Sequence, residues 1–233
     1  MNSKSVEMKF NKHSLTSLIK ENSFFFGSYL LFLIAGAVVL LIIDKGDAVI
    51  FFNDWRGSSC DEVFKFFSGV GEGLYFSIFL LIIGIFSFRY IVLGVTIYLA
   101  SVGITQILKN IFKIPRPKVF FADTDLVTYV DNFRLLANNA FPSGHTTSGF
   151  AIFLFLALIT RNKQLGMAYL FCAFLVGISR VYLVQHFFID VYFGSLIGVF
   201  FTLLIYKLFE NSQKIVQSNW YNFSLYDYLK GKY

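Results

Sequence analysis

Apolar residues in this chain gather in long uncharged blocks, parted by short charged breaks, and do not alternate with polar ones. The first block runs from Phe24 to Ile43. Blocks from Leu74 to Phe88 and from Tyr90 to Leu108 are separated only by Arg89, which predicts a tight hairpin. A fourth covers Gly144 to Thr160, followed by a polar turn at Arg161–Gln164 and a fifth block from Leu165 to Ser179. After a break around Arg180–His186, the sixth runs from Phe187 to Tyr206 and is interrupted only by Asp190. A helix needs about 17–25 apolar residues to cross a bilayer core. The pattern therefore predicts an all-α polytopic membrane protein with six transmembrane helices in one bundle. The second and fifth blocks, at 15 residues each, must borrow flanking polar positions.

The first block is too long for a removable leader and lacks a small-residue cleavage site, so it reads as an anchor. The bundle then occupies residues 23–208, after an N-terminal segment 1–22 and before a tail 209–233. That tail is polar with scattered aromatics, a surface helix or a partly ordered end. Between the first two blocks, Asp61-Glu62-Val63-Phe64-Lys65-Phe66-Phe67 has the pattern of a capped helix with one apolar face. It fits an interfacial helix lying on the membrane, or an extension of the second span.

Composition supports the membrane reading. Apolar residues make up 56% of the chain and charged residues 15%, against about 45–50% and about 25% in a soluble domain. A soluble enzyme, a disordered chain and a disulfide scaffold are all disfavoured. The net charge of +6 comes without the basic stripe of a nucleic-acid binder, and fits loops that orient a membrane protein. Six spans place both termini on one side. The N-terminal segment, the Arg89 and Arg161–Lys163 turns and the tail, together with Lys207 at the end of the last block, hold 11 Lys and Arg, against nine on the opposite face. That balance predicts cytoplasmic termini. Cys60, in a polar loop, and Cys172, within an apolar block, do not suggest a disulfide, and no Cys/His cluster has zinc spacing.

Charge at membrane depth costs about 2.5–3.5 kcal/mol for a central Arg, Lys or Asp, so the polar clusters at the block ends call for a reason. Three fall on the face opposite the termini. In the first, Lys109 closes the third block, and Pro115 and Pro117 stop the helix beyond it. Arg116 follows seven residues after Lys109, a spacing that two helical turns would align. A snorkelling lysine and a basic loop are the plain alternative. The second is Pro142-Ser143-Gly144-His145. Ser143 fits an N-cap, the exposed N–H groups of a helix start suit an anion, and His145 can exchange a proton. A capped helix with a histidine at the interface would look the same. The third is Ser179-Arg180, then His186 and Asp190. At i and i+4 on a helix, a carboxylate can hold one imidazole nitrogen and free the other to attack, or the pair can be purely structural.

Together these residues resemble the three-part signature of the type 2 phosphatidic acid phosphatase family, a membrane group related to haloperoxidases. The parts are Lys109…Arg116-Pro117, Pro142-Ser143-Gly144-His145 and Ser179-Arg180…His186…Asp190, without departure at any position. The resemblance implies a lipid phosphatase in which His186 attacks phosphorus to give a phosphohistidine, Asp190 orients it, and His145 protonates the leaving oxygen. It also implies that Lys109, Arg116, Ser143, Gly144 and Arg180 hold the phosphate oxygens. Because those cations supply the charge that phosphoryl transfer needs, no metal or other cofactor is expected. The partners expected are the bilayer and a lipid substrate: phosphatidic acid, phosphatidylglycerol phosphate, a polyprenyl diphosphate or a lipid A phosphate. The active site would face the outside of the inner (cell) membrane. The loop from Lys113 to Phe141, with Asp123, Asp125, Asp131, Arg134 and Asn138-Asn139, would cover the site and select the headgroup. A family member acting on soluble esters or transferring phosphate elsewhere fits the same residues; a silent lipid-binding or transport relative is disfavoured, because both histidines, the aspartate and all three cations are kept. Oligomeric state is not legible.

Overall fold

In a computed structural model, which describes residues 14–218, 221 and 223–231, the apolar blocks become helices and no strand occurs among the described residues. His13 and the basic residues before it lie outside the described residues. The elements are α1 (Leu15–Glu21), α2 (Ser23–Ile42), α3 (Asp47–Asn53), α4 (Ser58–Val70), α5 (Gly73–Gly84) and α6 (Phe88–Phe112). Then follow α7 (Pro117–Phe120), α8 (Gly144–Thr160), α9 (Lys163–Tyr182), α10 (Phe188–Glu210), α11 (Gln213–Val216) and α12 (Leu225–Leu229). Four helices, α2, α6, α9 and α10, are long and apolar enough to cross a membrane. α4 and α5 qualify together as a fifth, bent by 63° at their junction, and α8 is a shorter apolar helix of 17 residues.

α8 is the centre of the bundle. Every residue from Thr146 to Leu158 is buried, as expected of a helix that is apolar all round. It packs against α6, α9 and α10. α10 approaches it closely, because Gly194 and Gly198 present no side chain to it. A Cβ on Gly194 would lie 2.7 Å from the Ser143 carbonyl, and one on Gly198 would collide with the Thr147 carbonyl. α2 is peripheral and buries only Phe25, Tyr29 and Gly36. It is tied in by the Phe32 and Phe174 rings, 4.7 Å apart, and by a 3.1 Å hydrogen bond between Tyr29 and Ser195.

Several boundaries depart from the apolar pattern. The fifth block gains a full turn from its polar flanks and runs Lys163–Tyr182. The second does the opposite and ends at Gly84, where Phe86 and Ser87 N–H groups fold back onto the Ile83 carbonyl. Arg89 is not the hairpin turn; residues 85–87 turn, and Arg89 joins the first turn of α6 beside Tyr90. The tail docks across that turn, with Phe88 N–H on the Phe223 carbonyl and Tyr226 N–H on the Ile85 carbonyl. Cys60 lies on α4 and not in a loop; both cysteines are free.

α4 does not continue straight into α5. It is a separate helix, with Val63 and Phe66 exposed and the Phe64 ring tilted against that of Tyr182, centroids 4.3 Å apart. Asp61 accepts a 2.5 Å hydrogen bond from the Tyr182 hydroxyl and pairs with Arg56 at 3.1 Å, so α4 is pinned to the end of α9.

Overpacking a tight helix contact costs about 1–3 kcal/mol. Gly198→Ala should therefore lower the thermal midpoint in detergent, whereas Gly103→Ala, with nothing within 4 Å of the new Cβ, should keep or raise it.

Candidate active site

Lys109 and Arg116 are brought together by a loop, not by two turns of helix. α6 stops at Phe112, Lys113 caps it in the left-handed region at φ 49°, and Arg116 caps α7. Proline at 115 and 117 makes a continuous helix impossible. The two cations converge on the carbonyls of the returning strand of loop. Lys109 Nζ donates to the Asn139 carbonyl at 2.8 Å, and Arg116 Nε to that of Asn138 at 2.9 Å. Arg116 Nη1 also donates to Gln185 Oε1 at 3.0 Å. Asn139 adopts φ 59°, a conformation asparagine tolerates better than most residues. The loop is closed by Arg116 N–H on the Ala137 carbonyl and Ala140 N–H on that of Ile114.

Ser143 is the N-cap of α8: its Oγ accepts from Thr146 Oγ1 at 2.8 Å and, at a longer 3.4 Å, from the Thr146 N–H. Its own N–H donates to the Asp190 carbonyl at 3.0 Å, which joins the starts of α8 and α10. A Cβ on Gly144 would lie 3.9 Å from Lys109 Cε, so the lysine stem passes beside this helix start. His145 is half-buried, with Nε2 3.6 Å from Glu72 Oε1.

The third cluster sits in the turn between α9 and α10. Gln185 and His186 N–H groups both donate to the Arg180 carbonyl, at 2.9 and 3.1 Å, with Val184 held at φ 57°. That backbone is strained for a β-branched residue, and it is the turn that aims His186. His186 precedes α10, so the pair does not share a helical face. Instead Asp190, in the first turn, reaches back: Oδ2 accepts from Phe187 N–H at 2.9 Å and lies 3.3 Å from His186 Nδ1. Both side chains are 1% exposed. A proton on Nδ1 facing the carboxylate leaves Nε2 as a free lone pair.

Arg180 is buried, and its Nη1 donates to Ser68 of α4, while its Nε has no partner. An unmet buried donor is costly unless something accepts from it, and an anion would. Burial, then the nearby charges of Arg116, Arg180 and Lys109, pushes the His186 imidazole well below its ordinary value. The ring is therefore neutral and able to act as a nucleophile.

All eight residues singled out by the sequence thus lie at one end of the bundle. The exposed side chains of Asp123, Asp125, Asp131 and Arg134 make none of these contacts, although the Arg134 carbonyl accepts from Gln185 Nε2. Sequence reasoning passed over Ser68, Glu72 and Gln185. Gln185 lies inside the third cluster, beside His186, but Ser68 and Glu72 come from a distant segment and carry no local signal. An apolar cavity of about 610 Å³ adjoins Asp190, lined among others by Lys45, Phe112, Phe141 and Phe193.

Residues 89–214 match the family model described as PAP2 superfamily. The chain is 41% identical over 73 residues to the bacitracin transport permease protein BcrC of Bacillus licheniformis, covering 30% of this chain and 33% of the relative. It is 26% identical over 109 residues to undecaprenyl-diphosphatase BcrC of Bacillus subtilis (strain 168), covering 47% and 52%. The chain thus matches a third to a half of these relatives' lengths. Two solved structures share the fold. LpxE of Aquifex aeolicus gives a TM-score of 0.60 at 24% identity, over 69% of this chain and 93% of that one. The first transmembrane PAP2-type phosphatidylglycerolphosphate phosphatase from Bacillus subtilis gives 0.55 at 24%, over 84% and 98%.

A depressed imidazole value means the neutral form persists below the ordinary histidine value of about 6.5. Between pH 7.5 and 6.5, the ring nitrogen NMR shifts of His186 should stay those of a neutral imidazole; half-protonation near 6.5 would contradict this.

Proposed function

The chain belongs to the PAP2 superfamily, and on that premise we propose that it is an integral membrane phosphatase of lipid phosphates or diphosphates. The observation that carries this reading is a convergence. A buried His186–Asp190 pair lies among Lys109, Arg116 and Arg180, beside a capped helix start, although the three segments are far apart in sequence.

In this reading His186 Nε2 attacks phosphorus, and Asp190 keeps the proton of the ring on Nδ1 and stabilises the charge that develops there. The equatorial phosphate oxygens gather negative charge as the phosphoryl group moves, and fixed donors placed around them lower the barrier. Arg180 Nε, unpartnered at rest, is one such donor. Arg116, Lys109, the Ser143 hydroxyl and the Gly144 N–H supply others. His145 gives the leaving oxygen its proton, and water then releases phosphate from the phosphohistidine. The three cations supply the positive charge, so the proposed chemistry requires no metal.

Four or five helices able to cross a membrane, with α8 added, are read as six spans with cytoplasmic termini and the site on the outer face. A headgroup there would meet the catalytic residues while its tails stay in the bilayer. One of the relatives is named for undecaprenyl diphosphate and one of the solved structures for phosphatidylglycerol phosphate. Those two lipids, phosphatidic acid and a lipid A phosphate form the panel on which phosphate release from the purified chain should be measured.

His186→Ala should lower release by about a thousandfold or more, as loss of a nucleophile does; activity near that of the parent would refute the assignment. EDTA should leave turnover unchanged, while orthovanadate should inhibit it. Loss in EDTA that added magnesium restores would refute the metal-free reading.

A further inference from the structure

We propose that Glu72 is a positioning residue for His145: its carboxylate keeps that imidazole loaded with the proton the leaving oxygen must take. This rests on the phosphatase reading above and extends it to a residue outside all three sequence clusters.

The bend between α4 and α5 is seated against the neighbouring helices. Gly71 lies against the first turn of α8, where a Cβ would be 2.8 Å from the His145 carbonyl oxygen and 2.9 Å from His145 Cβ. Ser148 Oγ donates to the Gly71 carbonyl. Three residues earlier, Ser68 accepts from Arg180. The end of α4 is thus fixed to both α8 and α9. The next residue, Glu72, has an extended backbone as the N-cap of α5 and delivers its carboxylate to His145 Nε2 at 3.6 Å.

Charge gives that contact its role. The groups bearing on His145 from the packed elements are Lys109 of α6, Arg116 of the following loop, Arg180 of α9 and, across the site, His186. All three cations oppose a second positive charge on the ring. Asp190 is engaged with His186 and the Phe187 N–H. Among the described residues, Glu72 is the acid that pairs with His145. At 3.6 Å the pair is beyond hydrogen-bond length, so the carboxylate acts on the ring by Coulombic attraction once His145 takes up its proton.

The step balances without any further reactant. The His186 Nε2 lone pair forms the N–P bond. The P–O bond to the leaving group breaks, its electron pair stays on oxygen, and that oxygen takes the proton from His145. Water then attacks phosphorus, the N–P electrons return to Nε2, and the proton from water reloads His145.

The test uses the full chain in detergent with two esters, dioctanoyl phosphatidic acid and p-nitrophenyl phosphate. The alkoxide of the first needs a proton to leave, whereas nitrophenolate scarcely does. General acid catalysis contributes about 10²–10⁴ to such steps. Glu72→Gln should lower the ratio of kcat on the alkyl ester to kcat on the aryl ester by about fivefold or more, and Glu72→Asp should restore part of it. A smaller fall, including equal losses on both esters, overturns the role of Glu72 while leaving the phosphatase reading intact. A parent protein inactive on these esters and on the four-lipid panel overturns that reading and the role of Glu72 together. Because the ratio is taken within one preparation, an inactive fraction cancels, and the 57% exposure of the Glu72 side chain makes the substitution mild for folding.

Discussion

Holding three positive groups at the end of an apolar bundle, without neutralising them, is the constraint on which the rest of the structure turns. A buried cation needs its donors met, and the usual solution is a carboxylate beside it. Here the donors of Lys109 and Arg116 go mainly to main-chain carbonyls of Asn138, Asn139 and Gln185, and one donor of Arg180 goes to the Ser68 hydroxyl. Carbonyls and hydroxyls satisfy hydrogen bonds but carry no net charge. The positive field therefore survives, and after burial itself it is this field that keeps His186 neutral.

That solution dictates much of the architecture. The loop from Lys113 to Phe141 has to return two carbonyls to the end of α6, which it does through Asn139 in the left-handed region. Its apolar residues Phe121 and Val127 pack with Val181, Val184 and Phe187, so the loop is a wall over the α9–α10 turn. α8 must be central because its first turn faces all the other contributors. The glycines of α10 let it come near enough for the Asp190 carbonyl to take the Ser143 N–H. Stability and site share the same contacts.

The sequence made the three clusters and the helical blocks legible, because apolar runs and residue types are local properties. It misjudged how the pairs meet. The spacing of Lys109 and Arg116 suggested two helical turns, and that of His186 and Asp190 a shared face, yet proline breaks the first and the second straddles the start of α10. α4 was legible as a helix from Asp61 to Phe67, but its place against Tyr182 and Arg180 was not. Contacts across about 110 residues leave no periodicity to read.

By itself, the sequence determined that this is an all-helical chain with an apolar bundle, and which charged residues stand apart at its helix ends. Burial cost makes such residues conspicuous wherever the chain runs apolar. Only the tertiary structure decided that they share one end of the bundle, that main-chain carbonyls leave their charge intact, and that Glu72 faces His145. Those outcomes depend on which backbone groups meet across the fold, and a carbonyl or a bend looks the same at every position in a sequence.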